Sequence, residues 1–406
     1  MKPEFELLVR ACGLARGLPV KGPTQQSEFP SGFDQALFVS MAIQHKVAAT
    51  AYSGLKKLGL SNALLPEQSA RLIQRAAQGQ FIRAQIMEEA YTISSALAAQ
   101  GIPALVIKGA ASSIQFYGDP FVREYDDLDM LVNLPEIEPL VPILAQLGWT
   151  QIDKFLQKSS KYPKSKLIKR WHHGIFWNEE HNLRLEVHDR TGWQEESFHI
   201  DDIDTIFTRS VQLNNGQYKF VSLHPTDQAL LALVHGTKHA WCLLHWLLDM
   251  AHILYTSSDE EVCAISSKVQ ALDMEAQLEL AANVVTALYP IELPTAIASS
   301  IGHTKKIRKS TDFALKRLEV GGTDVASMRN SLVFFTRYSF PFLHGPKQKL
   351  RSAVNVIKIL PQDAETIPLP QHLLFLHLFL RPFFSVSRHI SSYIKRPKEK
   401  REDTNV

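Results

Sequence analysis

Residues 104–132 read ALVIKGAASSIQFYGDPFVREYDDLDMLV, and they combine two apolar runs with a pair of aspartates. The first run is short and uninterrupted, which predicts a buried strand over residues 103–108. Small residues follow the glycine at the end of this run and predict a helix over 110–117 that begins directly where the strand ends. A second strand is predicted over 127–133. The stretch therefore indicates a strand–helix–strand unit with a tight glycine turn.

Two carboxylates of the second strand are predicted to lie side by side. Asp127 and Asp129 alternate with apolar residues, and alternate side chains of a strand share a face. Such carboxylates repel each other unless a cation lies between them, and Mg²⁺ is the natural partner for hard oxygen ligands. The alternative is an ordinary solvated strand end with turn-forming aspartates.

Composition places the chain among ordinary globular proteins. Its 406 residues suffice for two or three domains, and 45% of them are hydrophobic. The 44 Lys and Arg nearly balance the 41 Asp and Glu, so overall charge does not indicate a nucleic-acid partner. Three scattered cysteines form no disulfide framework, and no apolar stretch reaches the ~18 residues of a membrane span. With a poor signal-peptide pattern at the start, we expect a cytoplasmic protein.

The arrangement Lys108-Gly109, then Arg123-x-x-x-Asp127-x-Asp129, resembles the uncharacterised bacterial nucleotidyltransferase family. More broadly it resembles the DNA polymerase beta-like nucleotidyltransferase superfamily. The resemblance implies an α+β fold, with a small mixed-sheet nucleotidyltransferase core flanked by N- and C-terminal helical domains. It also implies an enzyme that moves a nucleoside monophosphate from an NTP, such as ATP, to a hydroxyl or phosphate acceptor and releases pyrophosphate.

The resemblance further implies a third carboxylate on a later strand. Residues 171–177 and 183–188 are apolar runs joined by a polar turn, which predicts a β-hairpin, and Glu186 lies on its second strand. Asp127, Asp129 and Glu186 are therefore the expected catalytic residues. They are also the expected ligands of two Mg²⁺ ions, with Mn²⁺ as the alternative. Glu186 is the candidate to accept the proton of the acceptor hydroxyl.

Five residues are expected to bind the nucleotide. Gly109 permits close approach of the backbone, the helix after it presents N–H groups to a phosphate, and Lys108 adds a point charge. Many superfamily members carry a serine directly after this glycine, whereas the first hydroxyl here is that of Ser112. Arg123 either clamps a phosphate or forms an ion pair with a site aspartate. His188 shares a strand face with the third carboxylate.

Helical periodicity flanks this core on both sides. Four regions are predicted: an N-terminal helical region over 1–100, a nucleotidyltransferase core over 101–222, a C-terminal helical domain over 223–394 and a charged tail over 395–406. Residues 154–170 contain seven basic residues and no acid, which fits a flap that attracts the triphosphate or the acceptor, or a solvated loop. The apolar segment 373–394 either contacts an anionic membrane surface or docks on its own domain.

Two histidines offer a rival site. His235 and His239 have ligand spacing, although the glutamate of H-E-x-x-H is missing between them. With Trp246 and Asp249 they recur at helical steps, which predicts one stripe on a long helix that begins near residue 225. A metal hydrolase based on these histidines and a non-catalytic nucleotide-binding protein are the alternatives. The acceptor is unidentified, and a small molecule, sugar, peptide or protein is favoured over nucleic acid.

Overall fold

The protein is described by a computed structural model, which covers residues 1–134, 138–152, 173–189, 191, 200, 202–216, 218–302, 305–321, 342, 350, 359, 367–377 and 379–380. Thirteen α-helices occur in this part of the chain. Their bounds are α1 Pro3–Ala15, α2 Gln35–Gln44, α3 Ala48–Leu58, α4 Pro66–Ala99, α5 Gly109–Tyr117, α6 Leu140–Gln146, α7 Ile203–Thr208, α8 Pro225–Lys238, α9 Leu244–Thr256, α10 Asp259–Ala271, α11 Glu275–Leu288, α12 Thr295–Ala298 and α13 Lys305–Val320.

Seven strands form one mixed sheet in the described chain. Their bounds are β1 Ala104–Ile107, β2 Asp127–Val132, β3 Trp149–Gln151, β4 His173–Asn178, β5 Leu183–His188, β6 Val211–Asn215 and β7 Tyr218–Ser222. The sheet order is β3-β4-β5-β2-β1-β7-β6. Sequential neighbours pair antiparallel, whereas β2 with β5 and β1 with β7 pair parallel. This mixed sheet between helices confirms the predicted fold class, and it contains the predicted hairpin as β4–β5.

The two faces of the sheet pack into two different hydrophobic cores. One face carries apolar residues such as Leu128, Met130 and Leu185, which pack with α4 and α6 into a core of their own. On the opposite face Leu105 and Leu131 belong to the larger helical core. The carboxylates of β2 alternate with Leu128 and Met130, so they lie on this second face, where the sheet meets the helical core.

The helices before and after the sheet share one hydrophobic core. Side chains of α1 and α3, among them Phe5 and Leu55, belong to the same buried cluster as Leu247 of α9 and Val284 of α11. The division of the chain into four regions stays a prediction. No helix of the described chain combines the length and the apolar character that a membrane span requires.

The predicted long helix from residue 225 is in fact two helices. α8 ends at Lys238 and α9 begins at Leu244. Ala240 and Trp241 between them both have positive φ, 53° and 50°, which a helix cannot contain. Trp241 is fully buried, and its ring packs directly against Gly236. A Cβ on Gly236 would lie only 2.3 Å from a ring atom of Trp241. The single-stripe prediction was therefore wrong, because burial of one tryptophan beside a glycine turns the chain back.

Several predictions fall on residues that the structure does not describe. The basic segment 154–170 and the tail 395–406 lie outside the described residues. Of the apolar C-terminal segment 373–394, only residues 373–377 and 379–380 are described. The flap and the membrane-surface contact therefore stay predictions.

Candidate active site

The register of two parallel strands brings the predicted carboxylates together. β2 and β5 pair so that Asp129 lies beside Glu186, and Asp127 lies beside Arg184. The paired residues of the two strands are 57 positions apart in the sequence, and the strands become neighbours because β5 adds to the edge of β2 together with its hairpin partner β4. Both predicted metal-binding strands thus present their acids at one place on the sheet.

Two nitrogen donors meet one oxygen of Asp129. Lys108 Nζ donates to Asp129 Oδ1 at 2.7 Å, and His188 Nε2 lies 2.8 Å from the same oxygen. Asp129 is buried, whereas Lys108 and His188 retain some solvent access. The structure therefore places two of the predicted nucleotide-binding residues directly against a predicted metal ligand.

Glu186 completes a set of atoms that suits a cation. One ligand atom each from Asp129, Glu186 and His188 lies within 4.8 Å of the others. Glu186 is also held by Arg184, whose guanidinium lies 2.5 Å from Oε1. Carboxylate oxygens with one imidazole nitrogen fit a divalent metal, so the residues present fit the cation that the resemblance implies. The Asp127 carboxylate is not among these three atoms, although it lies on the same strand face.

The charges of this cluster oppose one another. Burial and the nearby carboxylates of Asp129 and Glu186 raise the pKa of Asp127 to about 6. For Asp129 burial also acts upward, but the Lys108 ammonium and the hydrogen bond from His188 together hold its pKa well below the usual range. The arrangement keeps Asp129 ionised, whereas Asp127 holds its proton to a higher pH than an ordinary aspartate does.

The glycine turn is tight, as the sequence predicts. Lys108 precedes α5 with φ 52° and ψ −138°, a conformation that costs a non-glycine residue about 1–3 kcal/mol. A Cβ on Gly109 would lie 3.3 Å from the ring of Tyr125, which is a tight contact, so a larger residue there would require the ring to shift. The strain at the turn accompanies a side chain that reaches a site carboxylate.

The serine predicted to bind phosphate lies inside the structure. Ser112 is buried, and its hydroxyl accepts a hydrogen bond of 2.5 Å from Gln228 Nε2 of α8. Its neighbour Ser113 donates to the carbonyl of Asp119 at 2.6 Å. These bonds fasten α5 to its surroundings, and a phosphate contact by Ser112 stays a prediction.

Arg123 pairs with an aspartate that lies far away in sequence. Its Nε donates to Asp249 Oδ2 at 2.6 Å, and Tyr117 donates to Asp249 Oδ1 at 2.9 Å. The ion pair of Arg123 therefore joins helix α9, rather than a strand aspartate of the site. Both partners are buried. The pair fixes the segment that leads into β2, and a phosphate clamp by Arg123 stays a prediction.

The two histidines of the rival site pack in an aromatic cluster beside this site. The rings of His235 and His239 lie 4.7 Å apart, and both lie about 5 Å from the ring of Trp246. Burial, then the charges of His239 and Lys108, hold the pKa of His235 well below its usual range. Among the described residues, the set of three clustered ligand atoms is that of Asp129, Glu186 and His188, and these two histidines are not part of it.

Sequence reasoning missed two basic residues near the carboxylates. Arg184 holds Glu186, and its position two residues before Glu186 on an alternating strand was the available signal. Lys46 Nζ lies 3.0 Å from Asp126 Oδ2. The positive charge of Lys46 acts against the rise in the pKa of the adjacent Asp127 that burial and the other carboxylates cause. No local pattern in the N-terminal helical region marks Lys46, because its approach to β2 depends on the tertiary fold.

Comparisons with known proteins identify the family of the chain. A family described as uncharacterised nucleotidyltransferase matches residues 31–290, which is more than half of the chain. No curated protein matches. Among solved structures, the chain is similar to an antigenic nucleotidyltransferase-like protein from Paracoccidioides brasiliensis, with 16% identity, a TM-score of 0.26, and coverage of 47% of this chain and 91% of that one. The matched region contains the glycine turn, both strand aspartates and Glu186, and the chain belongs to the uncharacterised nucleotidyltransferase family.

Proposed function

We propose that the protein is a nucleotidyltransferase that moves a nucleoside monophosphate from an NTP, such as ATP, to a hydroxyl or phosphate acceptor. The observation that supports this best is the pairing of Asp129 with Glu186 across β2 and β5, with His188 within ligand distance. Family membership supports the same reaction class. Asp127, Asp129 and Glu186 would hold Mg²⁺, or Mn²⁺ as the alternative, with His188 as a further ligand atom. The bound cation would neutralise the triphosphate and ease loss of the acceptor's proton.

In the proposed reaction an acceptor oxygen forms a bond to the α-phosphorus of the NTP. The bond between that phosphorus and the pyrophosphate oxygen breaks, so pyrophosphate leaves. Glu186 accepts the proton of an acceptor hydroxyl, since its carboxylate is partly exposed beside Asp129. Lys108 and the backbone at Gly109 bind the triphosphate from the end of β1.

The acceptor is proposed to be a small molecule, sugar, peptide or protein rather than nucleic acid. The near balance of basic and acidic residues supports this choice, because nucleic-acid binding depends strongly on excess positive charge. The three cysteines form no disulfide with one another, which favours a reducing cytoplasm as the compartment.

Label transfer tests the proposal. The protein is incubated with each α-³²P-labelled NTP, Mg²⁺ or Mn²⁺ and a cell extract, and labelled acceptors are separated by gel electrophoresis and thin-layer chromatography. We expect a labelled product that Asp127→Ala and Asp129→Ala abolish. NTP binding without transfer would instead support the non-catalytic alternative. Activity that survives both substitutions and disappears with His235→Ala would support the histidine-based hydrolase and contradict the proposal.

A further inference from the structure

An oxygen of the candidate metal site is already held by a positively charged side chain. The ammonium of Lys108 lies 2.7 Å from Asp129 Oδ1, and His188 Nε2 adds a second contact at 2.8 Å. Asp129 is only 5% exposed, so its interactions act in a poorly solvated environment. A divalent cation that approaches Asp129 therefore meets the charge of Lys108 at the oxygen it must bind.

The contact between Lys108 and Asp129 is an ion pair of opposite charges in a poorly solvated place. Separation of the pair would leave a buried carboxylate and an ammonium without their partners, so Lys108 will release Asp129 only if another anion takes its place. The turn before α5 already directs this flexible side chain toward the end of the sheet where Asp129 and Glu186 meet.

We propose that Lys108 acts as a latch on Asp129 that makes metal binding depend on the nucleotide. When an NTP binds, the ammonium transfers from Asp129 Oδ1 to the triphosphate, and the freed oxygen becomes a metal ligand. The protein then takes the divalent cation together with the NTP and binds the free cation weakly. This inference rests on the proposed function, because the triphosphate of that reaction is the anion that releases the latch.

The latch has a thermodynamic consequence that can be measured without turnover. If the NTP strengthens metal binding by removing Lys108 from Asp129, the metal must strengthen NTP binding by the same factor. Removal of the lysine charge should uncouple the two ligands, because no ammonium then contacts Asp129 Oδ1 with or without the NTP. Free-metal affinity should rise while NTP affinity falls.

The test is a titration of the protein with Mn²⁺ in the absence of NTP. Electron paramagnetic resonance of the unbound ion measures how much Mn²⁺ is bound. Lys108→Met should bind Mn²⁺ about tenfold more tightly than the unsubstituted protein, within the usual range of coupling between sites. Lys108→Gln should act likewise and replaces Lys108→Met if that variant does not fold. Lys108→Arg, which keeps the charge, should bind Mn²⁺ as weakly as the unsubstituted protein.

Lys46→Met is the matched control. Lys46 also contributes positive charge near Asp127, but its ammonium lies on Asp126, at 3.0 Å, and not on a predicted ligand. A latch predicts a change of less than about threefold for this variant. An equal gain in Lys46→Met and Lys108→Met would overturn the latch in favour of general electrostatics, and so would unchanged Mn²⁺ affinity in both neutral Lys108 variants.

A second substitution locates the ion. Asp129→Asn in the Lys108→Met background should remove the gained affinity, and Mn²⁺ binding that is unaffected by it would contradict the latch. With α,β-methylene-ATP, which cannot react, excess Mn²⁺ should strengthen analogue binding much more in the unsubstituted protein than in Lys108→Met. Equal strengthening in both proteins would also contradict it. Because these are binding measurements, they separate failure of the latch from failure of nucleotidyl transfer.

Discussion

Two buried aspartates, Asp129 and Asp249, differ in how their hydrogen-bond donors are distributed over the two carboxylate oxygens. At Asp249 each oxygen has its own donor, Arg123 on Oδ2 and Tyr117 on Oδ1. One carboxylate faces one guanidinium, and the arrangement needs no further ligand. Both side chains of the ion pair are nearly removed from solvent.

At Asp129 the hydrogen-bond donors are unevenly distributed, and other carboxylates lie nearby. Lys108 and His188 share one oxygen, Glu186 lies beside them, and Asp127 is on the same strand face with a raised pKa. The ligand atoms of Asp129, Glu186 and His188 lie close enough together to bind one cation. The difference indicates that burial of an acid alone does not mark a candidate site, whereas several ionisable groups gathered at one place do.

The largest effect should come from the crowded aspartate. Asp129→Asn keeps the side-chain shape but removes the charge, and label transfer should fall by at least about 10²–10³-fold. The thermal unfolding midpoint should fall by less than that of Asp249→Asn, because Lys108 keeps some solvent access and lies near further carboxylates. Asp126→Asn is the matched control, because Asp126 lies just before the same strand and pairs with Lys46 and Arg75 outside the ligand set. Equal loss of activity in both variants would remove the special status of Asp129.

Asp249→Asn should reduce the stability of the fold more than Asp129→Asn does, and label transfer less. It leaves the guanidinium of Arg123 buried without its counter-charge, which typically costs about 3–5 kcal/mol of unfolding free energy. Urea unfolding followed by circular dichroism measures this loss. The double variant Arg123→Met/Asp249→Leu should recover much of it. An Asp249→Asn protein that is fully stable but inactive would place Asp249 in the reaction instead of the scaffold.

The pH dependence should separate the two regions further. The pKa of Asp127 is raised to about 6 in the folded protein, so the folded state holds this proton more tightly than the unfolded chain. The contribution of this group to stability is therefore present at low pH and is lost as pH rises through about 6. In the metal-free protein the midpoint of Asp127→Asn should gain on that of the unsubstituted protein between pH 4.5 and 7. A constant difference over this range would show that Asp127 titrates normally.

The smallest effect is expected at Asp126. Its ion pairs with Lys46 and Arg75 involve side chains that are about a quarter to a third exposed. Arg75→Met should therefore change the unfolding free energy by less than about 1 kcal/mol and leave label transfer intact. Urea unfolding and the transfer assay check both parts. A loss as large as that of Asp249→Asn would mean that this cluster belongs to the buried scaffold.

Local patterns account for what the sequence could predict. Strand β1, helix α5 and strand β2 follow from one apolar run, one glycine and one alternating strand, and their bounds differ from the predicted ones by at most one residue. The hairpin with Glu186 follows from its alternation. Family membership is confirmed by a match over residues 31–290, a range that includes these elements.

Contacts between distant parts of the chain were beyond such patterns. Arg123 and Asp249 are 126 positions apart, and nothing near either residue names its partner. The break before Trp241 depends on a ring that fits against Gly236, so helical periodicity alone continues through it. The approach of Lys108 to Asp129 depends on a side-chain direction set by an unusual backbone angle, which a residue list does not reveal.

The most direct test of the central claim compares two labels on the same NTP. With α-³²P-NTP and a divalent cation, label should appear on the acceptor, and Asp129→Asn should abolish it. With γ-³²P-NTP, label should appear only in pyrophosphate. Transfer of the γ label to the acceptor would show phosphoryl transfer, and it would contradict the assignment of this site to nucleotidyl transfer.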